Sequence, residues 1–189
     1  NPAHLAKTIA TADNIAGGRV IAGLGAGWMP REFSDFGMPF MATRERLEQL
    51  RETVELLRRM WDEEEIETTY QGTYVNVENV VCQPKPPRHV PILIGGAGEQ
   101  VTLKLAAKEA DMWNNLAGHQ ANLGHKIEVL KRHCDDLGRD FEEIICSQQC
   151  LVTIAADAAS AGLMAEQAQK IFGGHMGDPQ GPMAVTGTA

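Results

Sequence analysis

The chain has 189 residues, 43% of them hydrophobic, and its 17 basic and 25 acidic side chains give a formal net charge of −8. That is enough apolar material for one core, while the acidic balance argues against a nucleic-acid surface and no apolar run approaches the roughly 20 residues of a membrane span. The N-terminus lacks the basic-then-apolar layout of a signal peptide, so the expectation is a cytoplasmic protein that acts on a small molecule.

Asn1-Pro2 forms a helix start, with an N-cap residue and a proline at the first helical position, and the closing "VTGTA" is expected to be a turn. Both ends suggest a piece of a longer chain. Leu5, Ile9, Ala12 and Ala16 fall at helical spacing, and Gly17-Gly18 supplies a positive-φ stop before a strand over Arg19 to Gly25. After the glycine loop, Thr43 is placed to cap a long helix with an inner stripe of Leu47, Leu50, Val54, Leu57 and Trp61. Two β-prone runs, Glu67 to Tyr70 and Thr73 to Val77, flank a Gln71-Gly72 turn, and "CQPKPPRHVP" is a stiff connector.

The short apolar strand of "PILIGGAG" then repeats the opening pattern and leads into a helix over Glu99 to Ala110. A strand follows at Asp111 to Asn115, then a helix marked by Leu123, Ile127, Leu130, Cys134 and Leu137. A single strand "IICSQQCLVTIA" and a helix carrying Ala161, Met164, Ala168 and Ile171 complete the pass. Strands each followed by a helix imply parallel pairing, in either an open doubly wound sheet or a (β/α) barrel.

The first glycine loop, Gly23-Leu24-Gly25-Ala26-Gly27, is not a dinucleotide fingerprint: the third glycine of Gly-x-Gly-x-x-Gly is replaced by Trp28, and Pro30 follows. No Gly-x-x-x-x-Gly-Lys-Ser/Thr occurs either. Glycines at a strand's end still admit a flat ligand close to the backbone, with tight strand-helix packing as the equal alternative. The second loop, Gly95-Gly96-Ala97-Gly98-Glu99, runs towards a helix, so its amides and the helix dipole favour an anion such as phosphate. Glu99 would repel a phosphate if its carboxylate turned inward, so it is expected to point away.

Trp28 is a candidate to line a pocket for a planar ring, with plain packing as the alternative, and the amides of Asn114 and Asn115 are candidates for a ligand's polar edge. Four cysteines, Cys82, Cys134, Cys146 and Cys150, make one Cys-x-x-x-Cys pair with no nearby histidine to complete a zinc set, so reduced thiols are expected. Histidines 4, 89, 119, 125, 133 and 175 form no His-x-x-x-His, no metal site is assigned, and only His119, after a strand end, merits a test.

"NPAHLAKTIATADNIAGGRVIAGLGAGW", "LRRMWDEEE" and "YQGTYVNVENVVCQPKPPRHVPILIGGAGEQVTLKLAAKEADMWN" together resemble the luciferase-like monooxygenase superfamily, especially its deazaflavin (coenzyme F420)-dependent oxidoreductases. The resemblance runs through nearly the whole chain. It implies an α/β fold that is part of a (β/α)8 TIM barrel, about strands 4 to 7 with their helices, as a single partial domain over 1–189 with 62–90 an inserted excursion and connector. It further implies that Ala26 and Gly27 approach the cofactor ring, while Gly95, Gly96, Gly98 and Glu99 meet its phosphate-bearing tail. In relatives that oxidise a sugar phosphate, a glutamate proton donor stands where this chain has Trp28, which speaks against that activity and for a more apolar pocket with Trp28 and Asn115 on the substrate side.

Three functions are carried forward. The first is an F420-dependent oxidoreductase moving a hydride between deazaflavin and an organic substrate; no catalytic acid or base is identified within the chain. The second is an FMN-dependent monooxygenase using O2. The third is a non-catalytic flavin-binding relative or inactive fragment. A homodimer is expected of the full-length protein, and an isolated half barrel is expected to pair through its exposed sheet edges.

Overall fold

The computed structural model describes residues 1–172 and 185–188. It divides into two compact units, Asn1–Leu93 and Ile94–Ala189.

The first unit opens with helix α1 (Pro2–Ile15), whose N-cap Asn1 side chain accepts the His4 N–H at 3.2 Å. The buried face of α1 is Ala3, Ala6, Ala10 and Asp13, not the larger residues that spacing alone selects; Leu5 stays 37% exposed and lines a cavity. The physical reason is close approach. Small side chains bring the helix near enough for the Trp61 indole N–H to reach the Ala6 carbonyl at 3.1 Å.

Gly17 and Gly18 both take positive φ, as expected, and the chain enters strand β1 (Ala22–Leu24), shorter than its apolar run. A short helix α2 (Pro30–Asp35) follows that the sequence reading lacked: Pro30 stands at the first helical position, where its missing N–H costs nothing. Helix α3 (Thr43–Trp61) buries Leu50, Val54, Leu57 and Trp61 of the expected stripe, plus Leu56 and Met60. Its cap is Ala42 rather than Thr43, and the Ala42 N–H donates to Glu45 Oε2 at 2.9 Å.

Strands β2 (Thr68–Gln71) and β3 (Asn76–Val80) form an antiparallel hairpin with Gln71 opposite Asn76. The connection is therefore Gly72 to Val75, and β3 starts three residues later than its β-prone run suggests. Glu52 explains the longer loop: its carboxylate accepts the N–H groups of Thr73 (2.7 Å), Tyr74 (2.8 Å) and Val75 (2.8 Å), so these amides cannot serve a strand ladder. Next to β1, the Ala22 N–H donates to the Pro91 carbonyl at 2.9 Å, where the chain enters strand β4 (Ile92–Gly95).

The second unit begins within β4, at Ile94, and β4, β5 (Met112–Asn115) and β6 (Ile145–Gln148) are hydrogen-bonded in that order. β5 and β6 are parallel, in register from Met112 opposite Ile145 to Asn115 opposite Gln148. Helix α4 (Thr102–Glu109) starts three residues later than expected, leaving Glu99 to Val101 in a turn, and helix α5 (Leu123–Leu137) ends on Gly138 in the left-handed region. The expected single strand "IICSQQCLVTIA" is two: after β6 the chain breaks, and β7 (Val152–Ala155) pairs in parallel with β8 (Val185–Thr188). The break has a polar cause. Gln149 accepts the Ala117 N–H on its side chain, and its carbonyl takes the amides of Gln120 and Gln148. Helix α6 (Ala158–Phe172) joins β7 towards β8, so the expected closing turn is a strand, while Ala189 and His175 lie outside the described residues.

Among the described residues, no helix is long and apolar enough to cross a membrane. The four cysteines are free thiols, and burial pushes the thiol pKa of Cys82, Cys134 and Cys146 upward, which keeps them protonated.

Candidate functional site

In the first unit, the loop after β1 is built against the start of α3. Arg46, only 8% exposed, sends its Nε to the Ala26 carbonyl at 3.2 Å, Nη1 to the Met41 carbonyl and Nη2 to Thr43 Oγ1, and its guanidinium lies 3.9 Å from the centre of the Phe40 ring. Phe40 packs edge-on to Phe33 at 5.0 Å. Phe33 in turn occupies the space that a side chain on Gly27 would need, since a Cβ there falls 2.6 Å from the ring, and Gly27 has φ +73°. Glycine at 27 is thus demanded by the protein's own packing. Beside this cluster lies a cavity of about 490 Å³ whose walls include His4, Leu24, Ala26, Gly27, Arg46 and Leu50. Trp28 is 55% exposed and is not part of those walls.

In the second unit, three carbonyl groups of the loop after β4 are bonded within the protein. The Gly96 carbonyl accepts the Trp113 indole N–H at 2.8 Å, the Gly98 carbonyl accepts the Leu103 N–H at 2.9 Å, and the Glu99 carbonyl is 2.8 Å from His133 Nε2. A trans peptide unit points its N–H opposite to its C=O. The amides paired with those carbonyls, at Ala97, Glu99 and Gln100, therefore face the other way, and none has an acceptor among the described residues. Gly96 plays a different part: its own N–H is committed to the Asn114 carbonyl at 3.2 Å, and its φ of +136° belongs to glycine. A Cβ on Gly96 would fall 2.9 Å from the Thr102 methyl, and one on Gly98 3.1 Å from Thr102 Oγ1.

The Glu99 carboxylate is turned to α5, where Oε1 meets Lys126 Nζ at 2.6 Å and His125 Nε2 at 3.1 Å. The Lys126 bond chiefly holds its pKa below the usual carboxylate value. Asn115, ending β5, is fully buried, donates to Gln148 Oε1 (2.6 Å) and the His119 carbonyl (3.2 Å), and leaves its own Oδ1 without a partner among the described residues. His119 thus enters through its backbone, and its ring is exposed.

The residue-by-residue reading missed Arg46, Lys126 and His133. Charged residues on amphipathic helices ordinarily face solvent; the available signal was that Lys126 and His133 share the helix face of Val129 and Leu130.

A family model for luciferase-like monooxygenases matches residues 1–184. The chain belongs to the luciferase-like monooxygenase family. Among curated relatives, an uncharacterised protein of Mycobacterium tuberculosis is 40% identical over 141 residues, covering 74% of this chain and 48% of the relative. An F420-dependent glucose-6-phosphate dehydrogenase of Kineococcus radiotolerans is 38% identical over 163 residues, covering 85% and 47%. This luciferase-like chain spans about half the length of those relatives.

Among solved structures, an F420-dependent secondary alcohol dehydrogenase in complex with an F420-acetone adduct superposes with a TM-score of 0.79 at 23% identity, over 94% of this chain and 53% of that one. A monooxygenase from Streptomyces bottropensis gives 0.79 at 22% identity, over 100% and 60%. The α/β fold is accordingly part of the (β/α)8 barrel of these enzymes.

Proposed function

We propose that this chain is part of an F420-dependent oxidoreductase that moves a hydride between the deazaflavin and an organic substrate. The single observation that most supports the reading is the loop from Gly96 to Gln100, in which the carbonyls of Gly96, Gly98 and Glu99 are bonded within the protein while the N–H groups of Ala97, Glu99 and Gln100 have no acceptor among the described residues. Such a row of amides fits the charged, phosphate-bearing tail of a flavin-like cofactor. The F420-dependent relatives supply the choice of deazaflavin.

In this reading Ala26 and Gly27 of the first unit contact the cofactor ring, and Gly95, Gly96, Gly98 and Glu99 form the tail-binding segment, with Gly96 acting through its backbone conformation. When bound, the deazaflavin supplies the carbon that gives or takes the hydride. Of the chain's own residues, Arg46 fixes the Ala26 carbonyl and Trp28 is assigned to the substrate side, whereas Asn115, fully buried and donating to Gln148 and the His119 carbonyl, braces the end of β5 instead of meeting substrate. An indole in place of a carboxylic acid offers no proton donor at a useful pKa, so the substrate pocket around Trp28 is apolar and the sugar-phosphate reaction of the Kineococcus relative is not assigned to this chain.

A second reading, FMN with O2, is favoured by the likeness to monooxygenases, because amides that grip a phosphate serve either cofactor. Titration separates them. Quenching of F420 fluorescence at micromolar protein, with no retention of FMN through gel filtration, is the expected result; FMN retention without F420 quenching selects the second reading.

A further inference from the structure

Glu99 is an awkward residue to find in a loop that receives an anion, and its surroundings on α5 resolve the conflict. Its carboxylate is 34% exposed and bonded at 2.6 Å to Lys126, whose side chain is only 11% exposed. His125 adds a second contact to the same oxygen. From two helical turns further along α5, His133 Nε2 lies 2.8 Å from the Glu99 carbonyl. A carbonyl oxygen only accepts, so His133 carries its proton on Nε2, and the carboxylate likewise requires a donor on His125.

Resting on the cofactor assignment above, we propose that Lys126 and His133 are positioning residues for the cofactor's anionic tail. Lys126 cancels the Glu99 charge and draws its carboxylate to α5. His133 fixes the Glu99–Gln100 peptide plane so that the Gln100 N–H faces away from α5. Neither residue touches the cofactor; both act through Glu99. Without Lys126, an uncompensated carboxylate is carried by Glu99, whose own N–H is one of the donors that meet the tail. The loss is then specific to ligands that bear a charge there.

The test is a fluorescence titration of the wild-type protein, Lys126→Met, Lys126→Arg and the double variant Lys126→Met/Glu99→Gln, with F420 and with its phosphate-free deazaflavin core. FMN and riboflavin form the matching pair where FMN is the cofactor. Lys126→Met is expected to weaken the tail-bearing ligand about tenfold or more and the tail-free ligand by less than about twofold. Lys126→Arg and the double variant recover most of that affinity, since the first restores the cation and the second removes the anion. Equal losses for both ligands, or no loss, overturn the positioning role while leaving the cofactor assignment intact. A wild-type protein that binds no tail-bearing flavin or deazaflavin overturns the cofactor assignment itself and this inference with it. A ligand-free readout runs beside these: amide hydrogen exchange over residues 96–101 rises in Lys126→Met and His133→Ala with α3 unchanged, and unaltered exchange there counts against the clamp.

Discussion

Glu52 offers the sharpest test of the energetics. Its side chain is 1% exposed and accepts three backbone N–H groups, from Thr73, Tyr74 and Val75, at 2.7, 2.8 and 2.8 Å. Burial alone raises its pKa, as the largest single effect, but the three amide donors together with Arg51 outweigh it, and the net value lies below the usual 4.5. Replacement by alanine loses all three bonds. Thr73 is exposed and its amide regains water, whereas Val75 is 2% exposed and its amide does not. An orphaned buried donor costs about 1–3 kcal/mol, and the charge-assisted bonds about 1.5–3 kcal/mol each before the relief of carboxylate desolvation. Glu52→Ala is therefore expected to destabilise by about 3 kcal/mol.

Glu52→Gln keeps the volume and one acceptor but sets an NH2 against the Thr73 N–H, for a loss of about 1–2 kcal/mol. The sign of the pH dependence follows from the lowered pKa: the wild-type contribution is complete above the unfolded-state value and is lost as pH falls through the folded-state value. The difference between wild type and Glu52→Gln therefore narrows in acid. Urea unfolding followed by tryptophan fluorescence, at neutral pH and at about pH 4, measures both effects. An Ala variant within about 0.5 kcal/mol of wild type, or a gap to Gln that widens in acid, refutes the reasoning.

A Cβ on Gly72 falls 2.5 Å from the Glu52 carboxylate, so Gly72→Ala displaces that group; the double variant with Glu52→Ala is expected to be less destabilised than the sum of the two singles in the same urea assay. Gly96→Ala forces a positive φ on a residue with a side chain, at a cost of about 1–3 kcal/mol, and meets the Thr102 methyl. Adding Thr102→Ser recovers the steric part of that loss but not the backbone part, which thermal unfolding resolves. Arg46→Lys retains the charge but cannot bond the Ala26 and Met41 carbonyls and Thr43 while stacking on Phe40; a loss of about 2 kcal/mol is expected, with faster hydrogen exchange over residues 24–28.

Helix α3 was legible because its apolar stripe repeats over five turns, and the two glycine loops because bare backbone at a strand's end has few uses. Helix α2 was not, since a proline after a glycine loop marks a turn as readily as the first helical position that Pro30 takes. The inward face of α1 also escaped spacing rules, because alanines chosen for close approach outrank the larger Leu5 and Ile9. In the second loop, the glycine pattern suggests an anion site but does not say which amides lack an acceptor among the described residues. That depends on Trp113 and His133, 17 and 34 residues away from the carbonyls they hold. The placement of Glu99 against α5 agrees with the expectation that its carboxylate points away, although Lys126 as its partner could not be inferred from the loop itself.

The row of amides at Ala97, Glu99 and Gln100 is tested most directly by an experimental structure of the protein with F420 bound. The account predicts a phosphate oxygen within about 2.7–3.2 Å of at least two of those nitrogens, with Glu99 still paired to Lys126. A tail bound at any other surface, or one held by side chains with those amides left to solvent, contradicts it.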